Sequence, residues 1–283
     1  MHTCRICGWS GEAYTINVKE MQYNTGDVFE YFECGNCHCM QIGALPSNLE
    51  RYYGNTYYSY EKPQISKADS SQQLNTSSVL DVGCGAGEFL CKLAKQGFVN
   101  LTGCDPFIDN DIFYENGVRI YKKEIHEMTG QFDNIFFNDS FEHVTDPHEV
   151  MESVKRLLSP EGILQIRIPV YPNIAFELFK ENWYQLDAPR HISLHTKESM
   201  HYLAQKHGFK IIKREYDSGS PQIVRSYLYS QGITLWEQTS EVILKYFTPQ
   251  SIDDIQETCK IANQNECSDH AAFYLTHADN INS

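Results

Sequence analysis

The sequence predicts an α/β protein: a mostly parallel sheet covered by helices, preceded by a small β module that a metal ion holds together. Three observations lead there. From Ser78 onward short apolar runs alternate with amphipathic stretches, the rhythm of a parallel sheet with helices on both faces. A glycine-rich turn, "LDVGCGAGEFL" (residues 80–90), joins the first of those runs to a helix. Ahead of this region, Cys4-x-x-Cys7 and Cys34-x-x-Cys37 form two pairs of thiols with metal-ligand spacing.

Composition bounds what such a chain does. Its 283 residues suffice for one large domain plus a module, and 41% hydrophobic content fills an ordinary core. No stretch approaches the roughly 20 apolar residues of a membrane span. The opening MHTCRICGWS lacks the apolar run of a signal peptide, so a cytoplasmic location is expected. With 37 acidic against 23 basic residues the net charge is −14, and no segregation of Lys and Arg is visible, which argues against a nucleic-acid partner. The 18 tyrosines suit stacking and hydrogen bonding to a polar organic ligand.

Residues 1–44 read as a zinc-ribbon-like module. They hold an alternating segment with Ile16, Val18, Val28, Phe29, Tyr31 and Phe32, too little to bury a core unaided. Two turns that each present two thiolates, joined by a hairpin, give a tetrahedral site for structural zinc with Cys4, Cys7, Cys34 and Cys37 as ligands. His2, His38 and Cys39 are expected to be solvent-exposed neighbours of that metal. Without an export signal the single thiols Cys84, Cys91, Cys104, Cys259 and Cys267 read as packing residues.

Residues 45–77 form a Tyr-rich connector whose five tyrosines between positions 52 and 60 are expected to pack on something, followed by a polar linker. Residues 78–283 then carry the main domain. Strands are expected at 79–81, 101–105, 118–121, 132–138, 162–170, 209–217 and 270–278, and helices at 87–97, 148–158 and 197–207. Asp146-Pro147 supplies an N-cap and first-turn proline for the second helix. Insertions fall at about 170–196 and at 218–268; the latter is helical in places, with no assignable place in the sheet.

The glycine loop is the most informative stretch. Gly83, Gly85 and Gly87 allow a tight turn and close approach of a ligand to the backbone. A dinucleotide fold would want a third glycine where Glu88 stands, and Asp81 just before the turn would repel a diphosphate. These carboxylates suit a ligand with an amino group and a sulfonium. Asp105 ends the next strand, where a carboxylate accepts both hydroxyls of a ribose.

Taken in order and spacing, "VLDVGCGAGEFL", "GCDP", "FDNIFFNDSFEHVTDP" and "VKRLLSPEGILQIRIP" resemble the motifs of class I S-adenosylmethionine-dependent methyltransferases, over about residues 78–217. The resemblance implies a Rossmann-like seven-stranded sheet with its last strand antiparallel, and S-adenosylmethionine over the glycine loop. It implies Gly83, Gly85 and Gly87 at the methionine part, Asp105 at the ribose, Asn138 and Asp139 beside the methyl donor, and Ile125 near the adenine.

Methyl transfer is an in-line displacement, and a base is needed only when the acceptor must lose a proton. His143, His191 and His195 all fall at or after strand ends. In "WYQLDAPRHISLHT" (residues 183–196), Trp183 and Tyr184 can stack on a ring, Asp187 and Arg190 can bind polar groups, and His191 can take a proton. This stretch resembles the insertion of methyltransferases with an N-terminal zinc-binding region that modify nucleotide-linked sugars or related saccharide precursors; in some of them a histidine at the matching place deprotonates a carbon beside a ketone. The expected acceptor is therefore a polar small molecule, a sugar or nucleotide-sugar first, with His191, His143 and Tyr184 as candidate catalytic residues. Asp139-x-x-Glu142-His143 also resembles the cation-holding E-x-x-E-H of quinone O-methyltransferases and small-RNA end 2′-O-methyltransferases. A quinone or phenol acceptor, with metal assistance, is the alternative; an inactive zinc-dependent interaction protein is another.

Overall fold

Short alternating runs pair first. In the computed structural model, which describes residues 1–53, 63–65 and 73–279, β1 (His2–Thr3) and β2 (Ser10–Gly11) pair antiparallel, and β3 (Thr15–Lys19), β4 (Val28–Glu33) and β5 (Met40–Ile42) form an antiparallel meander. There follow β6 (Asn75–Val82), α1 (Glu88–Lys95), β7 (Phe98–Cys104), β8 (Ile112–Phe113), β9 (Arg119–Tyr121), β10 (Phe132–Asn138), α2 (Pro147–Leu157) and β11 (Leu158–Pro169). The rest is α3 (Ile174–Phe179), β12 (Ser193–Leu194), α4 (Lys197–Lys206), β13 (Phe209–Tyr216), α5 (Ser220–Ser230), α6 (Ser240–Tyr246), α7 (Pro249–Gln264) and β14 (His270–His277). Among the described residues no helix is long and apolar enough to cross a membrane.

The main sheet has the order β13-β14-β11-β10-β6-β7-β9-β8, with β11, β10, β6, β7 and β9 mutually parallel. At one end of β14 Val170 N–H bonds to the Asp269 carbonyl, and at the other Thr276 Oγ1 bonds to the Gly162 carbonyl, so β14 runs antiparallel to β11. It runs antiparallel to β13 as well, since Ala278 pairs with Gly208 and Asp217 with His270. The seven expected strands are present. An eighth, β8, is added antiparallel at the edge against β9; two residues carry no periodicity that sequence could show.

Capping explains where the helices begin. Asp146 accepts from the N–H groups of His148 and Glu149 at 3.0 and 3.1 Å, with Pro147 in the first turn of α2. Helix α1 starts after Gly87, which stands at φ +84°, and is shorter than the expected span because glycines flank it.

The chain groups into two compact units that cut across the sequential division at residues 44 and 77. One gathers Met1–Tyr53, Ile168–Tyr202 and Arg214–Ala272; the described part of the other is 63–65, 73–167, 203–213 and 273–279. In the first, β12 adds to the meander beside β5, pairing Ser193 with Gln41 and Leu194 with Met40. Val18, Tyr31, Met40 and Ile42 share one buried cluster with Trp183, Leu186, Ile192 and Leu194. The module thus completes its core with the insertion, as its small apolar content requires. Residues 218–268, unplaced by sequence, belong to this unit as α5 to α7, and Leu235 N–H bonds to the Met21 carbonyl. In the second unit Val79, Leu90, Leu101, Val118 and Ile120 are buried between β6, α1, β7 and β9. Of the expected tyrosine cluster, Tyr52 is buried and bonds to Asp27 at 2.8 Å, whereas Tyr57, Tyr58 and Tyr60 lie outside the described residues.

Candidate active site

In the second unit, the carboxyl ends of β6, β7, β9 and β10 bring one group of expected site residues together. Gly83, Gly85 and Gly87 have φ of +72°, +51° and +84°, a left-handed series that glycine alone adopts without strain. The loop is also tight. A Cβ at Gly83 would lie 2.6 Å from Ser140 Cβ, and one at Gly87 would lie 2.4 Å from Ile120 Cδ1. Asp105 fixes the turn, accepting from Gly85 N–H at 2.9 Å and Phe107 N–H at 2.8 Å, one on each carboxylate oxygen. Ile108 N–H also bonds to this carboxylate, which keeps part of its acceptor capacity for a ligand hydroxyl. Ile125 is buried in the one-turn 3-10 helix Ile125–Glu127 that follows β9.

Asp81 ends β6 buried, 3.3 Å from Asn138 Nδ2 at the end of β10. Burial, the largest influence, raises its carboxyl to about 7; the Asn138 hydrogen bond opposes this and the charge of Asp105 adds to it. Asp105 is raised too, chiefly by burial. Two carboxylates so placed favour a bound cation. For the unliganded protein the folded value of Asp81 exceeds the unfolded one. Its contribution is therefore fully present below about pH 4 and is lost as pH rises through 7, at most roughly 1.4 kcal/mol per unit. The difference in thermal midpoint between wild type and Asp81→Asn should shrink or reverse across that range in favour of the asparagine. Parallel curves would remove Asp81 as the titrating group.

Asp139 stands at φ +52° with its carboxylate 2.9 Å from Arg167 Nη1. A 3-10 turn, Phe141–His143, follows it. Asp139, Glu142 and His143, which the resemblance to E-x-x-E-H would set together as cation ligands, thus stand on a left-handed residue and a 3-10 turn and not on one α-helical face. Ser140 Oγ donates to the Val82 carbonyl at 2.7 Å and closes against Gly83. Sequence reasoning missed both Ser140 and Arg167, for a serine after a strand and an arginine within one carry no pattern of their own.

The first unit holds the thiols. The Sγ atoms of Cys4, Cys7, Cys34 and Cys37 all lie within 4.8 Å of one another, with Cys4–Cys37 and Cys7–Cys34 at 3.5 Å. Tetrahedral zinc with ligands at about 2.3 Å separates sulfurs by about 3.8 Å, so the four residues fit the ion. Both pairs sit in the same turn: Gly8 N–H bonds to the Cys4 carbonyl and His38 N–H to the Cys34 carbonyl, Gly8 and His38 both having positive φ. The N–H groups of Ile6 and Cys7 point at Cys4 Sγ, those of Asn36 and Cys37 at Cys34 Sγ, and Gln41 Nε2 donates to Cys4 Sγ at 2.8 Å. Such donors suit thiolates; without an ion the Cys4–Cys37 hydrogen bond lowers Cys4 and raises Cys37, and burial raises Cys34. Cys39, expected to be exposed, is buried with its Sγ 3.3 Å from the Leu194 carbonyl, while Cys267, expected to pack, is exposed.

The insertion in this unit is more internally satisfied than its residue types suggest. Trp183, expected to stack on a ring, is buried in the core and donates from its indole to Asp269 at 2.9 Å. Arg190 is buried against Glu20, Asp187 and the Tyr52 carbonyl, a structural clamp and not a ligand contact. Tyr184 is half-buried, its phenol oxygen accepting from Arg225 at 2.6 Å. His195 is fully buried beside Ser199, and burial lowers it to about 3, which keeps it neutral. His191 Nδ1 lies 2.7 Å from the Gln185 carbonyl, which fixes the proton on Nδ1 and leaves Nε2 as the basic atom.

Comparison with known proteins bears on segments of both units. A family model described as a methyltransferase domain matches residues 57–214. The ubiquinone biosynthesis O-methyltransferase of Pseudomonas aeruginosa (strain UCBPP-PA14) is 33% identical over 110 residues, covering 35% of this chain and 47% of the relative. The mitochondrial ubiquinone biosynthesis O-methyltransferase of Saccharomyces cerevisiae is 36% identical over 99 residues, covering 31% and 32%. The chain thus spans about half or less of the length of these curated relatives. The O-methyltransferase from the trans-AT PKS multienzyme of Brevibacillus brevis, solved with S-adenosyl-L-homocysteine, matches at a TM-score of 0.43 and 17% identity over 73% of this chain and 68% of that one.

Proposed function

The chain belongs to the methyltransferase-domain family, and from that premise we propose that its second unit binds S-adenosylmethionine and that the protein methylates a small polar acceptor that must give up a proton. The observation that carries the reading is the Gly85 N–H to Asp105 hydrogen bond, which ties the left-handed glycine loop to a carboxylate at the end of the next strand. When bound, S-adenosylmethionine supplies an electrophilic methyl group on a sulfonium. The carboxylates of Asp81 and Asp105 suit its ammonium and ribose hydroxyls respectively, and the absence of side chains on the loop lets the ligand approach the backbone. His191 is the proposed base, through Nε2, with Nδ1 held by the Gln185 carbonyl.

For the acceptor, the sequence resemblance at 183–196 supports a nucleotide-linked sugar with an acidic carbon beside a ketone. The relatives are ubiquinone biosynthesis O-methyltransferases, which supports the alternative of an oxygen acceptor on a quinone or phenol, although their match covers only about a third of this chain. Labelled methyl transfer to a nucleoside-diphosphate-linked 4-ketohexose and to a catechol separates the two. Calorimetric titration with S-adenosylmethionine is the first test: failure to bind at millimolar concentration or better leaves a zinc-dependent interaction protein as the surviving alternative. His191→Ala is expected to lower turnover by about 100-fold or more while leaving cofactor affinity within a factor of about 2; unchanged turnover removes His191 from the mechanism.

A further inference from the structure

The cysteine-rich module does more than carry a metal. Tyr31 on β4 is fully buried, and its hydroxyl donates to the His191 carbonyl at 2.7 Å. Next along the chain, Ile42 N–H donates to the Ile192 carbonyl at 3.0 Å, and Ser193 and Leu194 continue as the strand paired with β5. On the other side of His191, Arg190 is gripped by Glu20 from the end of β3 and by Asp187. Asp187 Oδ2 in turn lies 3.8 Å from His191 Nε2. Glu20 is itself fixed, accepting from the N–H groups of Gln22, Tyr23 and Thr25. The chain at His191 is therefore held from the module at three successive residues, by the Arg190 side chain and by the His191 and Ile192 carbonyls, and its ring lies between the Gln185 carbonyl and a carboxylate that Arg190 immobilises.

The geometry points to Tyr31 as a positioning residue for His191, and to the zinc-ribbon-like module as the scaffold on which the proposed base is built. This rests on the assignment of His191 as base. Tyr31 touches no reacting atom; it acts by fixing where the imidazole stands and which nitrogen carries the proton. Burial raises the Tyr31 phenol well above its ordinary range, so the hydroxyl keeps its proton and the donor persists across the working pH. Misplacing a catalytic group by about 1 Å can cost on the order of 100-fold in rate, so a single buried hydrogen bond at this distance from the ring is enough to matter.

The test needs no acceptor for its first readout. In full-length, zinc-loaded protein labelled with 15N-histidine, long-range proton–nitrogen spectra report the tautomer of each ring, His191 being assigned from its loss in His191→Ala. The wild type is expected to show neutral His191 with the proton on Nδ1, and Tyr31→Phe a mixture of tautomers at unchanged zinc content and cofactor affinity. With whichever probe acceptor is methylated, the 4-ketohexose or the catechol, Tyr31→Phe should lower kcat between about 10- and 100-fold with KM nearly constant. Should Tyr31→Phe fail to fold, Glu20→Gln, which loosens Arg190 and through it Asp187, reads the same resonances. A wild-type histidine spectrum in the folded variant overturns the positioning role. Unchanged turnover in His191→Ala instead overturns the base assignment, so the two failures are told apart.

Discussion

Replacing Cys34 with serine is expected to drop bound zinc from about one per chain to near zero, and to unfold or severely loosen the first compact unit. Structural zinc in small modules contributes apparent binding free energies of about 10–16 kcal/mol that act as folding free energy. Serine offers no thiolate, so a four-sulfur site becomes a poor three-ligand one. The damage should spread beyond the turn. The Cys37 carbonyl accepts from Thr196 Oγ1 at 2.7 Å, β5 pairs with β12, and the module's apolar residues share one cluster with the 171–194 insertion. Metal analysis of purified protein and thermal unfolding followed by tryptophan fluorescence, to which Trp183 buried in that cluster contributes, check this. Full zinc in the variant would refute the four-cysteine site.

Much of this was legible in the sequence because the chemistry there is local. The glycine loop, the Asp146 cap and the two C-x-x-C turns each declare themselves within a dozen residues, and the strand–helix rhythm needs only nearest neighbours. What was not legible depends on contacts between distant segments. Trp183 and Arg190 have the composition of a ligand-binding loop, yet their partners are Asp269 and Glu20, 86 and 170 residues away. Buried polar side chains must find partners, and sequence does not say whether a partner is a ligand or another part of the chain. The same holds for Cys39, exposed by its position beside a metal turn but buried once β12 lies alongside β5. The division at residue 44 followed the cysteine pattern, which marks where the metal ligands end and carries no information about which later segment completes their core.

The second large effect is expected at Asp105. Asp105→Ala removes the acceptor of both Gly85 and Phe107 N–H bonds and, on the proposed reading, the ribose contact. Hydrogen bonds to charged groups are worth about 1.5–3 kcal/mol each. Losing the ribose contact and the loop's anchor together should therefore weaken S-adenosylmethionine binding by at least about 100-fold, roughly 3 kcal/mol. Asp105→Asn separates the two causes. Its carbonyl oxygen can keep one loop N–H bond but presents no negative charge, so it should fall between wild type and alanine in affinity. The loop should remain glycine-specific in either background, since a side chain at Gly83 meets Ser140 regardless of Asp105. Titration calorimetry on the three proteins reads the series. Binding by Asp105→Ala within about threefold of wild type, a difference of well under 1 kcal/mol, would show that the ribose lies elsewhere, and the Asp105 carboxylate would then be a loop anchor alone.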